Sequence, residues 1–188
     1  LLLLFLLPLT GFAEGKEIII LHTNDIHCGV NDNLCIDKVS QYKKDLQKKG
    51  VPVALVDAGD AIQGAPIGKL SNGESIVKIM NAAGYDFVIP GNHEFDYGME
   101  QFLKLTSKMK CGYYCANLID IKTRKLVLPP YKILALGNKK VAFMGATTPQ
   151  TLTSSTPKYF QDKNGKFIYG FLEDESGLKL YKALQEIS

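Results

Sequence analysis

The chain has 188 residues, of which 46% are hydrophobic and 22% charged, as is typical of a globular rather than a disordered protein. This length suits one domain of ordinary size or part of a larger one. The formal net charge of +3 is small for this length and the lysines are scattered, so we predict no nucleic-acid partner.

The first 13 residues are typical of the end of a secretory signal peptide. An apolar run precedes Pro8, and the small residues Gly11 and Ala13 suit cleavage after Ala13. A membrane-spanning helix needs roughly 18 or more apolar residues, and this run is shorter. We therefore predict a truncated signal peptide over residues 1–13. The protein is then exported to the periplasm, the cell surface or the extracellular space, with no stable membrane span.

The next segments predict a strand, a helix and a second strand. Residues 16–25 are an apolar run expected in a strand buried on both faces. Residues 34–50 predict a helix that Gly50 ends, and residues 51–60 predict another buried strand. The residues expected on the buried stripe of that helix are Ile36, Val39, Tyr42 and Leu46.

The pattern then repeats. A helix is predicted over 71–84, with a capping box from Ser71 to Glu74, and a third strand over 86–94. The remaining predicted elements are a helix over 99–110, a strand over 112–118, a hairpin over 131–148 with a Gly-Asn turn, and a helix over 176–188.

This alternation predicts an α/β fold, an incomplete layered sandwich in which a mixed, largely parallel sheet is flanked by helices. In open α/β sheets, ligands bind beyond the carboxyl ends of the strands. Four cysteines can pair in an exported protein. Their spacing is not that of a disulfide framework, so we predict that at least two are small buried thiols.

Polar residues lie at the ends of the first three predicted strands. Asp25 and His27 are two apart, so in an extended chain they share one face. Asp60 lies at the end of the second strand, and its two oxygens can bridge two ions. Asn92 lies near the end of the third strand and can add a neutral amide oxygen. Carboxylates and imidazoles suit a borderline divalent metal, and two such ions can clamp a phosphoryl group.

Other polar residues near these strand ends are expected to play lesser parts. His22 is interpreted as a hydrogen-bonded core histidine rather than a ligand, and Cys28 is not expected to bind metal. Asp57 is expected to be a buried carboxylate that supports the ligands through hydrogen bonds, and Glu94 is expected to act in the same way. Asp96 can cap the helix that follows it.

Three segments resemble a known family. "DIH", "GD" and "GNHE" resemble the metallophosphoesterase (calcineurin-like) superfamily. The longer strings "LHTNDIH", "DAGDAIQG" and "GNHEFDYG" resemble its 5′-nucleotidase branch, which includes UDP-sugar hydrolases and 2′,3′-cyclic-nucleotide phosphodiesterases. The resemblance implies two divalent ions, which can be Zn, Mn, Fe or Co. The implied roles are Asp25 and His27 on the first ion, Asp60 as the bridge, Asn92 on the second ion, and His93 with Asp96 as a catalytic dyad.

One part of the family pattern is missing. The family completes its metal site with two later histidine segments, whereas this chain has three histidines, the last at His93. We therefore interpret residues 14–188 as the N-terminal portion of the catalytic domain. The missing ligands and a substrate domain are expected beyond Ser188, and the 188 residues alone are expected to be nearly inactive.

The leading hypothesis is an exported, metal-dependent phosphohydrolase of nucleotides. Alternatives are another hydrolase of the same fold, acting on cyclic phosphodiesters, UDP-sugars or sulfur compounds, and a silent fragment that only binds nucleotide. The sequence contains no P-loop, Rossmann fingerprint or Gly-x-Ser-x-Gly string, so kinase-like, dinucleotide-binding and serine-hydrolase functions lose their main support.

Overall fold

The computed structural model describes residues 17–30 and 36–172. The predicted signal peptide, Cys35 and the predicted helix over 176–188 lie outside the described residues. Among the helices of the described ranges, none is both long enough and apolar enough to cross a bilayer.

The central sheet has three parallel strands in the order β1-β2-β3. These are β1 Ile19–Thr23, β2 Val53–Asp57 and β3 Phe87–Val88. Thr23 lies opposite Asp57, and Asp57 lies opposite Val88. The strands therefore end at the same level, and the loops that follow them lie along one edge of the sheet. This arrangement confirms the predicted parallel α/β architecture.

Helices connect and flank these strands. They are α1 Ile36–Lys48, α2 Pro66–Ser71, α3 Glu74–Ala83, α4 Met99–Lys108 and the short α5 Thr151–Ser154. Helix α1 packs against β2 and α3, and α3 also contacts α2 and α4. Gly84 ends α3 as predicted: its φ is +80°, and its N–H donates to the carbonyl of Met80.

Two small antiparallel sheets complete the described fold. Strand β4 Leu118–Asp120 pairs with β7 Tyr169–Phe171. Strands β5 Tyr131–Leu136 and β6 Lys139–Met144 form the predicted hairpin. Its two-residue loop begins at Gly137, whose φ of +62° suits a tight hairpin turn.

An aromatic cluster anchors the segment that follows β3. Phe95 is fully buried in a 3₁₀ turn, His93–Phe95. Its ring centroid lies 4.7 Å from that of Phe102 on α4 and 5.1 Å from that of Phe160. Aromatic pairs at such distances add to the stability that burial of their area provides. The core therefore fixes the turn that carries His93.

Strand β1 differs from the prediction of a strand buried on both faces. Its residues alternate in burial, Ile20 is 48% exposed and His22 is exposed. The prediction that His22 is a core histidine is therefore wrong. The physical reason is that Ile20 and His22, two positions apart, share one face of β1. That face is exposed among the described residues, whereas Leu21 on the opposite face packs against the core.

Helix α1 is rotated relative to the predicted stripe. Tyr42 is 55% exposed, whereas Lys43 is buried. The ammonium of Lys43 donates to the carboxylate of Asp86 and to the carbonyl of Gly84, both at 2.5 Å. A buried lysine is tolerated when it is paired in this way. The apolar pattern alone does not reveal such a partner.

Two further boundaries were predicted wrongly. Ser71 does not start a helix but ends α2, and the first residue of α3 is Glu74. The Ser71 hydroxyl accepts a hydrogen bond from the N–H of Ser75, so the predicted capping box is absent. In the predicted strand over 112–118, Tyr113 forms an isolated parallel bridge with Val88, and β4 begins only at the end of that segment.

The prediction of small buried thiols is confirmed. Cys28, Cys111 and Cys115 are all free and buried. Burial raises the pKa of the Cys111 thiol to about 11, which disfavours the reactive thiolate.

Candidate active site

The loops that follow β1 and β2 run side by side. The N–H of Asp25 donates to the carbonyl of Gly59, and the N–H of His27 donates to the carbonyl of Asp60, each at 3.0 Å. The N–H of Cys28 continues the pattern to the carbonyl of Ala61 at 3.0 Å. Main-chain hydrogen bonds thus fix the first two polar segments against each other.

The backbone at these positions is left-handed. The φ angles are +51° at Asp25, +42° at His27, +63° at Cys28 and +58° at Asp60. Our prediction that Asp25 and His27 lie in extended chain is therefore wrong, because β1 ends at Thr23. Non-glycine residues in this region cost of order 1–3 kcal/mol each, and such strain clusters at functional sites.

Three side chains converge at the carboxyl edge of the sheet. One ligand atom from each of His27, Asp60 and His93 lies within 4.8 Å of the others. A carboxylate oxygen of Asp25 lies 3.8 Å from Nε2 of His27. This mixed set of nitrogen and oxygen donors suits a borderline divalent metal, so the residues present fit the implied cofactor.

The tautomer of His27 follows from its neighbour. Its Nδ1 lies 3.1 Å from the carbonyl oxygen of Gln63. A carbonyl can only accept, so Nδ1 carries the hydrogen and Nε2 of the neutral ring keeps its lone pair. Metal-binding histidines are oriented in this way.

Asp60 also connects the second loop to the third. Its Oδ1 accepts from the N–H of His93 at 2.7 Å. Only a glycine fits at position 91, because a Cβ there would lie 2.3 Å from this same oxygen. Asn92 lies between Gly91 and His93 in the sequence, is partly exposed and directly precedes the 3₁₀ turn. The four predicted ligand positions, which are Asp25, His27, Asp60 and Asn92, thus lie on adjoining loops.

His93 and Asp96 form a close pair. Nδ1 of His93 lies 2.6 Å from Oδ2 of Asp96. Burial lowers the pKa of His93, but the hydrogen bond and the negative charge of Asp96 outweigh it, and the net pKa is raised. Helix α4 starts after Gly98 without a side-chain cap, so Asp96 does not cap this helix.

Glu94 is fully buried yet accepts three main-chain hydrogen bonds. The donors are the N–H groups of Asp60, Ala61 and Gly91, at 2.7, 2.8 and 2.7 Å. Burial raises the pKa of Glu94, and the hydrogen bond from Asp60 acts in the opposite direction. This carboxylate links the loops that follow β2 and β3.

Asp57 lies beneath the same loops. Its carboxylate accepts from the Thr23 hydroxyl at 2.5 Å and from the N–H of Gly59 at 3.0 Å. Burial raises its pKa to about 8, although the Thr23 hydrogen bond opposes the shift. The side chain therefore links the ends of β1 and β2.

Sequence reasoning missed several residues that support the site. The Ser155 hydroxyl lies 3.0 Å from Oδ1 of Asp96. The Thr147 hydroxyl donates to the carbonyl of Pro90 at 2.5 Å, and Asn117 exchanges hydrogen bonds with the Thr147 main chain at 2.7 and 3.0 Å. Thr147 and Ser155 lie in the Thr- and Ser-rich stretch that follows β6, which has no spacing typical of a metal or catalytic motif, and Asn117 lies before the hairpin in no motif.

Comparison with known proteins gives consistent matches. Residues 18–183 match the family described as calcineurin-like phosphoesterases. A 5′-nucleotidase of Rattus norvegicus is 34% identical over 174 residues, which cover 81% of this chain and 30% of that protein. A 5′-nucleotidase of Vibrio cholerae is 32% identical over 151 residues, covering 76% and 27%.

Among solved structures, the NAD nucleotidase of Haemophilus influenzae is 28% identical. Its TM-score is 0.72, and the match covers 89% of this chain and 32% of that one. The calcineurin-like phosphoesterase YfkN of Bacillus subtilis is 25% identical with a TM-score of 0.72, covering 90% and 58%. The chain spans about 30% of the length of these curated relatives.

Proposed function

This chain belongs to the calcineurin-like phosphoesterase family, and on that premise we propose that the protein is an exported, metal-dependent hydrolase of nucleotide phosphate esters, of the 5′-nucleotidase type. The observation that carries this proposal is the convergence of His27, Asp60 and His93 within 4.8 Å at the carboxyl edge of the sheet. Relatives named as 5′-nucleotidases support the choice of nucleotides as substrates.

Two divalent ions, which can be Zn, Mn, Fe or Co, are proposed as cofactors. Asp25, His27 and Asp60 would hold one ion, and Asp60 with Asn92 would contribute to the second. When bound, such ions polarise the phosphoryl group and neutralise charge that develops on its oxygens. The left-handed loops and the N–H donors to Glu94 fix the main chain that carries these ligands.

His93 is proposed to act on the substrate. With Nδ1 turned to Asp96, the other ring nitrogen remains to donate a hydrogen bond to a phosphoryl or leaving-group oxygen. Asp96 fixes the ring and favours its protonated form. The same geometry also suits metal binding by His93, so its variant must be examined for metal content as well as for activity.

Export and domain organisation extend the proposal. We propose that residues 1–13 are the end of a signal peptide. Residues 14–188 would form the N-terminal portion of a larger catalytic domain, which agrees with the share of the relatives that the chain covers. The site then faces an environment outside the cytoplasm, where extracellular or periplasmic nucleotides are its substrates.

A substrate panel tests the proposed function. We expect the full-length protein, loaded with Mn²⁺, Co²⁺ or Zn²⁺, to release phosphate from AMP at a turnover of roughly 1–10³ per second. UDP-glucose, 2′,3′-cyclic AMP and a thiosulfate ester are assayed beside AMP. A strong preference for any of these three over AMP would favour another hydrolase of the same fold. Binding of AMP without turnover of any substrate would favour a silent nucleotide-binding protein.

A further inference from the structure

We propose that Ser155 is a positioning residue for the His93–Asp96 pair, acting through the second oxygen of the Asp96 carboxylate. This inference rests on the proposed function, because it names a further residue on which the same reaction would depend. Ser155 carries no recognisable motif, and only the folded chain brings it to the site.

The contacts place Ser155 at the end of a three-residue chain. Its hydroxyl lies 3.0 Å from Oδ1 of Asp96, while Oδ2 of the same carboxylate lies 2.6 Å from Nδ1 of His93. An ionised carboxylate only accepts, so both neighbours donate to it. Each carboxylate oxygen therefore has a partner on a different segment of the chain.

Two hydrogen-bond partners restrict rotation of the Asp96 carboxylate more than a single partner does. The final side-chain torsion of an aspartate is broad, since it joins a tetrahedral carbon to a planar group. With His93 alone as partner, the carboxylate plane can turn about that contact. The Ser155 hydroxyl fixes the orientation of the carboxylate plane, and Asp96 in turn fixes the orientation of the imidazole. In other enzymes that pair a nucleophile with a base, a third group orients the base in the same way.

The hydroxyl is not needed to end the preceding helix. Ser155 follows α5, and its own N–H donates to the carbonyl of Thr151 at 3.0 Å. The main chain thus makes the terminal contact of α5. The next turn, Pro157–Phe160, packs Phe160 against Phe95, beside the turn that carries His93. That packing holds the Ser155 segment against the site independently of its hydroxyl.

The test compares Ser155→Ala with Ser154→Ala in the full-length protein. Ser154 is the exposed last residue of α5 and serves as the matched control. We expect Ser155→Ala to lower kcat about 10-fold, with KM and metal content unchanged, and Ser154→Ala to match the wild type. In a His93→Asn background, Ser155→Ala should cause no further loss, because its effect passes through His93.

A spectroscopic readout separates this inference from the proposed function. In the zinc-loaded protein, the downfield proton resonance of His93 Nδ1–H is assigned by its absence in His93→Asn. It should shift in Ser155→Ala and not in Ser154→Ala. Wild-type kcat and an unshifted resonance, or an equal loss of kcat in both backgrounds, would overturn the role of Ser155. If the wild type hydrolyses no phosphate ester, the proposed function fails and the resonance alone decides the role of Ser155.

Discussion

Replacement of His93 by asparagine is expected to lower kcat for AMP by roughly 10²–10⁴-fold, the range typical of a lost proton-transfer or charge-stabilising group. Asparagine keeps a polar side chain but removes the imidazole that pairs with Asp96 at 2.6 Å. The main-chain N–H of His93, which donates to Asp60, is retained. The metal ligands should therefore stay in place.

Kinetics and elemental analysis of the same samples distinguish the two roles that the geometry allows His93. His22→Asn is the matched control, because His22 is an exposed histidine on β1 and is given no part in the site. We expect it to keep wild-type kcat and metal content. If His93→Asn loses its metal together with its activity, His93 is a ligand and its assignment to the substrate is wrong.

Replacement of Asp60 by alanine is expected to remove bound metal. Asp60 is the carboxylate in the cluster with His27 and His93, and in the proposed site it is shared by both ions. Alanine removes the ligand charge and also the acceptor that fixes the N–H of His93 at 2.7 Å. We expect metal affinity to fall by more than about 10²-fold, since even losing a group that only supports a ligand costs 10–100-fold.

Two further variants distinguish loss of a metal ligand from loss of local structure. Asp60→Asn keeps an acceptor for His93 but removes the charge, so it should lose metal while retaining more of the local structure. Asp45→Ala, on α1, removes a partly exposed carboxylate that contacts Gln41 and Lys48, and it should retain all metal. Wild-type metal content in Asp60→Ala, measured after dialysis against a weak chelator, would exclude Asp60 as the bridging ligand.

The sequence was informative where polar residues interrupt apolar runs. Short buried strands followed by glycine and acidic residues placed Asp60 and His93 at strand ends, and the parallel sheet brought those ends together. Local backbone shape was not predictable in the same way. The left-handed angles at Asp25 and His27 accompany hydrogen bonds to Gly59 and Asp60, which are contacts between loops distant in sequence.

The environments of two further residues could not be predicted from the sequence, because they depend on tertiary contacts. Lys43 is buried because its ammonium group donates hydrogen bonds to the Asp86 carboxylate and to the carbonyl of Gly84. The pattern of apolar residues instead predicted that Tyr42 is buried. Ser155 reaches Asp96 across 59 positions of the chain. A single serine outside any motif is not recognisable in the sequence, and tertiary contacts such as the packing of Phe160 on Phe95 bring its segment to the site.

The cluster of His27, Asp60 and His93 is proposed to belong to a divalent metal centre that hydrolyses phosphate esters. Its most direct test is AMP hydrolysis by the full-length protein before chelation, after chelation and after metal is restored, with metal content measured at each stage. We predict that hydrolysis falls to background when the metal is removed, and that it returns with Mn²⁺, Co²⁺ or Zn²⁺ in the wild type but not in Asp60→Ala. Undiminished hydrolysis by metal-free protein would contradict a role for metal in the reaction.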